Sequence, residues 1–205
     1  MAFVARASLI VLLGTLLAGP LSPVAALPLR SSPALTPPSA VELFPSLEAE
    51  SLSGQKVTLP GAAGRRPALL VIGFTRESRA AARSWAQRIA ADFGADGRVA
   101  LFQLALLEDV PRLLRGVVSS GIRRGVPAAE HGRFLLVFDR GRELRRAADF
   151  AVPPATGADS DAYLVLFDGS GAIRWRHHAP APDAAYAELA VTLGRLAGSA
   201  PAGSR

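Results

Sequence analysis

The sequence predicts a three-layer α/β domain, with a mixed central β-sheet and helices on both faces. Three observations carry this. Continuous apolar runs of strand length recur at 68–74, 99–106, 134–139 and 162–168. The first three are each followed by a stretch with helical character. The fourth passes through a glycine-rich turn at 169–171 straight into another strand-like segment. Apolar runs without polar alternation suit strands buried on both faces. Strands joined through helices form parallel units, whereas a two- to three-residue turn makes an antiparallel hairpin.

The elements follow in order. Residues 43–59 have the form of a small hairpin, with Ser53 and Gly54 supplying the turn. Pro67 ends a basic loop ahead of the strand at 68–74. A loop at 75–78 leads to a helix at 79–93, in which Ala82, Trp85, Ile89 and Phe93 share a face. The strand at 99–106 precedes a helix expected at 108–118, with Val110, Leu113, Leu114 and Val117 as its apolar stripe. The strand at 134–139 precedes a short basic helix at 142–150. Residues 152–160 read as a loop kept extended by Pro153 and Pro154. The strand at 162–168 turns into one at 172–175. A helix at 182–196 closes the domain, with Tyr186, Leu189, Leu193 and Leu196 facing inward and Pro182 near its first turn.

The first 26 residues have the pattern of an export signal. Arg6 supplies a positive region, residues 7–18 are almost wholly apolar, and Gly19, Pro20 and Pro23 break the run. Val24, Ala25 and Ala26 offer a cleavage site before Leu27. The expected address is periplasmic or secreted. The alternatives are an anchor that is kept and a mitochondrial presequence. The apolar run is shorter than the roughly 20 residues that span a bilayer. Residues 27–40 read as a flexible leader, 41–198 as the folded domain and 199–205 as a disordered tail.

Composition excludes several chemistries. The sequence has 205 residues, a formal net charge of +6 and no cysteine. Disulfide frameworks, thiolate metal sites and thiol nucleophiles are therefore ruled out. Lys56 is the one lysine; the other basic residues are scattered arginines. No finger, recognition-helix or RNA-binding signature accompanies them, which argues against nucleic acid. There is no G-x-S-x-G elbow and no glycine-rich phosphate loop.

The phrases themselves resemble the thioredoxin-like superfamily, in particular its peroxiredoxin and thiol-oxidoreductase branch. "FPSLEAESLSGQKVTLP" looks like that branch's entry hairpin. "LLVIGFTRESRAAARSWAQRI" looks like its strand, active-site loop and helix. "FLLVFDRGRELRRAADF" and "YLVLFDGSGAIRW" look like two later strands, the second with a D-x-x-G-x-I turn. A narrower resemblance is to Atp10-type assembly factors of the ATP synthase. Phe74, Arg76, Ser84 and Trp85 match one phrase of that family; Asp168, Gly171, Ile173, Arg174 and Trp175 match another. His177 and His178 stand where that family has small residues. The resemblance implies a thioredoxin-like fold and, from the narrower match, a chaperone-like role beside a membrane complex.

The thiol pattern fails where chemistry is concerned. Ser78 and Ala81 fall near the usual pair of cysteines, and Ala162 stands about where the family has a cis-proline. A serine hydroxyl does not replace a thiolate, so Ser78 is expected to cap the helix that follows.

No catalytic, cofactor or metal residue is assigned. Arg76 and Arg79, with Ser78 between them, flank the vacant position and could hold a partner's carboxylate at a helix N-terminus. Arg140, Arg142, Arg145 and Arg146 form a second basic patch, suited to an acidic partner or anionic lipid. Both sets also fit a plain solvated surface. Trp85 and Trp175 fit sheet packing or a recognition anchor. Asp168 and Asp139 fit Asx-type turns. His177 and His178, if extended, point to opposite sides, and a metal site would need His131 and a carboxylate to join one of them. The reading is a non-catalytic thioredoxin-like binding or assembly protein with a protein partner, for which the resemblance implies a subunit of a membrane complex. The alternative is a cofactor- or metal-assisted enzyme on the same fold.

Overall fold

A computed structural model describes residues 41–95, 97–150 and 160–199. The expected export signal, the leader, nearly all of the 152–160 loop and residues 200–205 of the tail lie outside them. The described chain forms a seven-stranded sheet in the order β2-β1-β5-β4-β3-β6-β7. Its strands are β1 (Leu47–Ser51), β2 (Lys56–Leu59), β3 (Ala68–Gly73), β4 (Ala100–Leu106), β5 (Phe134–Val137), β6 (Ala162–Phe167) and β7 (Ile173–Ala179). The helices are α1 (Arg79–Phe93), α2 (Arg115–Arg124), α3 (Gly141–Ala147) and α4 (Ala185–Ser199).

Strands β3, β4 and β5 are parallel; β6 runs antiparallel to β3, and β7 to β6. β1 joins the edge of β5 antiparallel and pairs with β2 across the expected turn, where Gly54 has φ 86°. The apolar runs are central for the expected reason. All six residues of β6 are buried, as are Ala68 to Ile72 of β3. One face packs on α3 through Leu144, Ala147 and Ala148. The other packs on α1 through Ala81, Trp85 and Ile89, and on α4 through Leu189, Leu193 and Ala197. The mixed sheet with helices on both faces is the architecture the sequence predicts.

The boundaries of α2, α3, β7 and α4 differ from expectation. The second helix does not begin at Glu108. Pro111 sits in an extended conformation (ψ 141°), a 3-10 turn spans Arg112–Leu114, and α2 runs on to Arg124. Proline disfavours helical geometry in the residue before it, so the helix starts only after it. The stripe assigned to that helix is not buried either. Leu113 is 95% exposed, Val117 69% and Leu114 51%. α3 ends early because Asp149 turns into the left-handed region at φ 55°. β7 extends four residues past Trp175, and α4 starts later, at Ala185, where the Asp183 carboxylate accepts the Ala185 amide at 2.9 Å.

Candidate functional site

β3 delivers the chain to the 75–78 loop, and the loop is closed on itself. The Ser78 hydroxyl donates to the Thr75 carbonyl at 3.0 Å and accepts from the Thr75 amide at 3.3 Å. The Ser78 amide donates to Thr75 Oγ1 at 3.1 Å. Gly73 makes room for this, since a Cβ there would lie 3.0 Å from Ser78 Oγ. Ser78 therefore does not cap α1 with its side chain, contrary to expectation. Its hydroxyl is already committed to Thr75. Ser78 is 1% exposed and Ala81 4%, so both positions that match the cysteine pair are shut off from solvent. Ala162, at the position matching the proline, is buried at the start of β6.

Arg76 and Arg79 point the other way. Both are exposed, and neither side chain has a partner among the described residues. The first turn of α1 holds no acidic residue and no side-chain cap. The positive end of the helix and two guanidinium groups thus meet at one rim.

Beside this loop lies an aromatic cluster that sequence reasoning missed. Phe74 packs on Phe150 (4.5 Å between centroids) and on Tyr163 (5.2 Å). The sheet register places Tyr163 opposite Ile72 on one side and His178 on the other. The His178 ring stacks on Tyr163 at 5.0 Å, and its Nδ1 meets Asp161 at 2.8 Å. His177 takes the opposite face, as strand alternation requires. It lies 5.9 Å from Trp85 and 5.5 Å from Trp175, and its Nε2 is 3.2 Å from Asp183. Burial pushes the Asp183 carboxyl up, but the Ala185 amide and His177 outweigh it and hold it below its usual value. His131 instead donates to the Val126 carbonyl at 2.9 Å. The three histidines do not converge, and no metal-holding cluster occurs among the described residues. The signal that could have found Asp161 and Asp183 is a longer β7, which brings both histidines into the strand.

Trp85 is fully buried and donates its indole N–H to the Ala179 carbonyl at 3.3 Å, so it is a packing residue. Trp175 is half-buried against the same face, and Ser84 is half-buried on α1. The basic patch on α3 is divided. Arg140 donates to the Ser46 carbonyl at 2.8 Å and pairs with Glu143 at 3.3 Å. Arg145 pairs with Glu108 at 2.5 Å and lies over the Phe150 ring at 6.0 Å. Arg142 and Arg146 are exposed, and their side chains make no hydrogen bond or ion pair among the described residues.

Asp168 organises the β6–β7 turn. Its Oδ1 accepts the Ser170 amide (2.8 Å), the Ser170 hydroxyl (2.5 Å) and the Ala172 amide (3.1 Å). Its Oδ2 accepts from Arg174 Nε at 2.7 Å. Gly171 has φ 85°, a left-handed conformation that favours glycine, and a Cβ there would lie 3.2 Å from the Pro60 ring. Asp168, Gly171 and Arg174, on which the expected Atp10-type resemblance partly rests, therefore build a turn.

A mixed sheet in this order, clasped by helices on both faces, is the thioredoxin-like fold. No protein-family model matches the chain, and no curated protein matches it. Solved structures do. BsSco, a member of the Sco family of cytochrome c oxidase assembly proteins, is 8% identical with a TM-score of 0.54, over 78% of this chain and 95% of its own. An uncharacterised conserved protein from Geobacillus kaustophilus is 14% identical with a TM-score of 0.52, over 80% and 85%. A yeast mitochondrial 1-Cys peroxiredoxin is 12% identical with a TM-score of 0.51, over 80% and 82%. Likeness at such identity speaks to fold, and function has to be argued from the site. No helix among the described residues is long and apolar enough to cross a membrane.

Proposed function

We propose that this chain is a non-catalytic thioredoxin-like binding or assembly protein, acting in an exported compartment on a protein client. One observation carries the reading. The loop that matches the family's thiol position is sealed by reciprocal Thr75–Ser78 hydrogen bonds, while Arg76 and Arg79 stand exposed beside it. Such a rim can bind a carboxylate through charged hydrogen bonds but has no nucleophile to react with it. Each well-made charged bond contributes about 1.5–3 kcal/mol before ordering losses. Two arginines can therefore set the affinity of a contact without forming an interface alone. The half-buried Phe74 and Phe150 supply apolar surface next to them. The export reading rests on residues 1–26, and the assembly role on the phrases shared with Atp10-type factors; the same fold serves an assembly protein of the Sco family. Arg142 and Arg146 are the weaker candidates, because Arg145 between them is already tied to Glu108.

The test is affinity capture from the native compartment. Arg76→Ala with Arg79→Ala should lose a client that the wild-type chain retains, with folding unchanged. Arg142→Glu with Arg146→Glu should retain it. The opposite pattern would move the site to α3, and loss by neither would end the electrostatic reading.

A further inference from the structure

The segment that departs most from the sequence expectation is the 3-10 turn and α2. Neither element buries a single residue. The side facing the domain is half-buried at Arg115, Val118, Ser119 and Ile122. Arg115 anchors it, lying 4.5 Å over the Phe138 ring, and Arg83 donates to the Gly125 carbonyl at 3.3 Å. The other side carries Leu113, Leu114 and Val117. These are three of the six large apolar side chains exposed among the described residues, gathered within one turn and a half. Leu113, at 95%, stands almost wholly clear of the protein. Leaving such a cluster in water is unfavourable unless something covers it.

The charges around the cluster say what that is. From 110 to 129 the sequence holds Arg112, Arg115, Arg123 and Arg124 and no acidic residue. Arg112, Arg123 and Arg124 are exposed without a side-chain partner among the described residues. Asp109 and Glu130 bracket this stretch in sequence, and Glu50 is on the sheet side, in the recess under α2 that Arg115 and Arg123 also line. Between the arginines the helix is uncharged, with Gly116, Ser119, Ser120 and Gly121. Protruding leucines flanked by arginines on an amphipathic helix match the boundary of an anionic bilayer. There the apolar side chains enter the acyl region and the guanidinium groups meet lipid phosphates.

We infer that the 3-10 turn and α2 dock this protein on an anionic membrane surface. The contact is separate from the proposed client rim, since neither Arg76 nor Arg79 belongs to it.

The absence of cysteine makes a direct test simple. Val117→Cys places one thiol in the full chain, to be labelled with an environment-sensitive NBD fluorophore. Val191→Cys on α4, another exposed apolar position, serves as the control site. The vesicles are phosphatidylcholine alone, or phosphatidylcholine with roughly 30% phosphatidylglycerol. The label at 117 should brighten at least about twofold and shift blue on anionic vesicles, and stay unchanged on neutral ones. The label at 191 should not respond. Adding Arg112→Gln, Arg123→Gln and Arg124→Gln should weaken partitioning about a hundredfold, near fivefold for each arginine, with the circular dichroism spectrum unchanged. Because the label reports its own surroundings, membrane contact by the apolar 7–18 segment cannot mimic the result. No response at 117 while the chain is vesicle-bound, or an equal response on neutral vesicles, would overturn the inference. So would a concentration-dependent response without lipid, which would mean that a second copy covers the face.

Discussion

Replacing Asp168 with asparagine removes one charge and leaves the hairpin shape in place. Asparagine still offers an oxygen to the Ser170 and Ala172 amides. What is lost is the negative charge facing Arg174, whose Nη2 lies 2.6 Å from Oδ2. The size of the effect follows from the carboxyl's pKa. Burial pushes it up, but the Ser170 hydroxyl, Arg174 and the two backbone amides outweigh burial and bring it from 3.8 to about 2. A shift of that size, at about 1.4 kcal/mol per unit, corresponds to about 2.5 kcal/mol. The Asp168 side chain is 17% exposed but Arg174 is 45% exposed, so solvent screens part of the pair. About 2 kcal/mol is therefore expected. The folded pKa lies below the unfolded one. The stabilisation is thus complete above about pH 4 and fades as pH falls toward about 2. Urea titrations followed through Trp85 and Trp175 fluorescence would measure it. Asp168→Asn should be about 2 kcal/mol less stable near neutrality, and the two proteins should converge in acid. A difference below about 0.5 kcal/mol near neutrality, or one that persists at about pH 2, would refute this account of the turn.

Trp85→Ala should cost about 3–5 kcal/mol, because it empties a fully buried site between α1 and the sheet and removes the indole hydrogen bond to the Ala179 carbonyl; the same urea titration reads it. Ser78→Cys should give a thiol that resists alkylation in the native protein and reacts freely in urea, since position 78 is 1% exposed. Rapid native labelling, followed by mass spectrometry, would contradict the closed loop.

The strands were legible because their chemistry has one solution. Runs such as 68–72 and 162–167 carry no charged side chain, and the Tyr163 hydroxyl is their one polar side-chain group; each is buried between two layers. The Asp168 turn was legible too, since a carboxylate ahead of Ser-Gly has local amides to accept. α2 was not. Its periodicity shows that one face is apolar, but nothing local says whether the protein or something else covers that face. Pro111 was the available warning about where the helix begins. Ser78 misled for a related reason. A serine ahead of a helix reads as a cap, and here Thr75, three residues back, competes for the hydroxyl and wins. The pairing of His177 and His178 with separate carboxylates depended on β7 running to Ala179, an end that Pro180 marks in the sequence.

The most direct measurement of the central claim is a binding titration of the client recovered by capture. Labelled client would be titrated by fluorescence anisotropy with the wild-type chain and with the Arg76→Ala, Arg79→Ala variant, at low salt and near 0.15 M. The account predicts at least about tenfold weaker binding by the variant, from the loss of charged hydrogen bonds worth about 1.5–3 kcal/mol each. It also predicts a steeper salt dependence for the wild type than for the variant. Equal Kd values for the two proteins at both salt concentrations would contradict it.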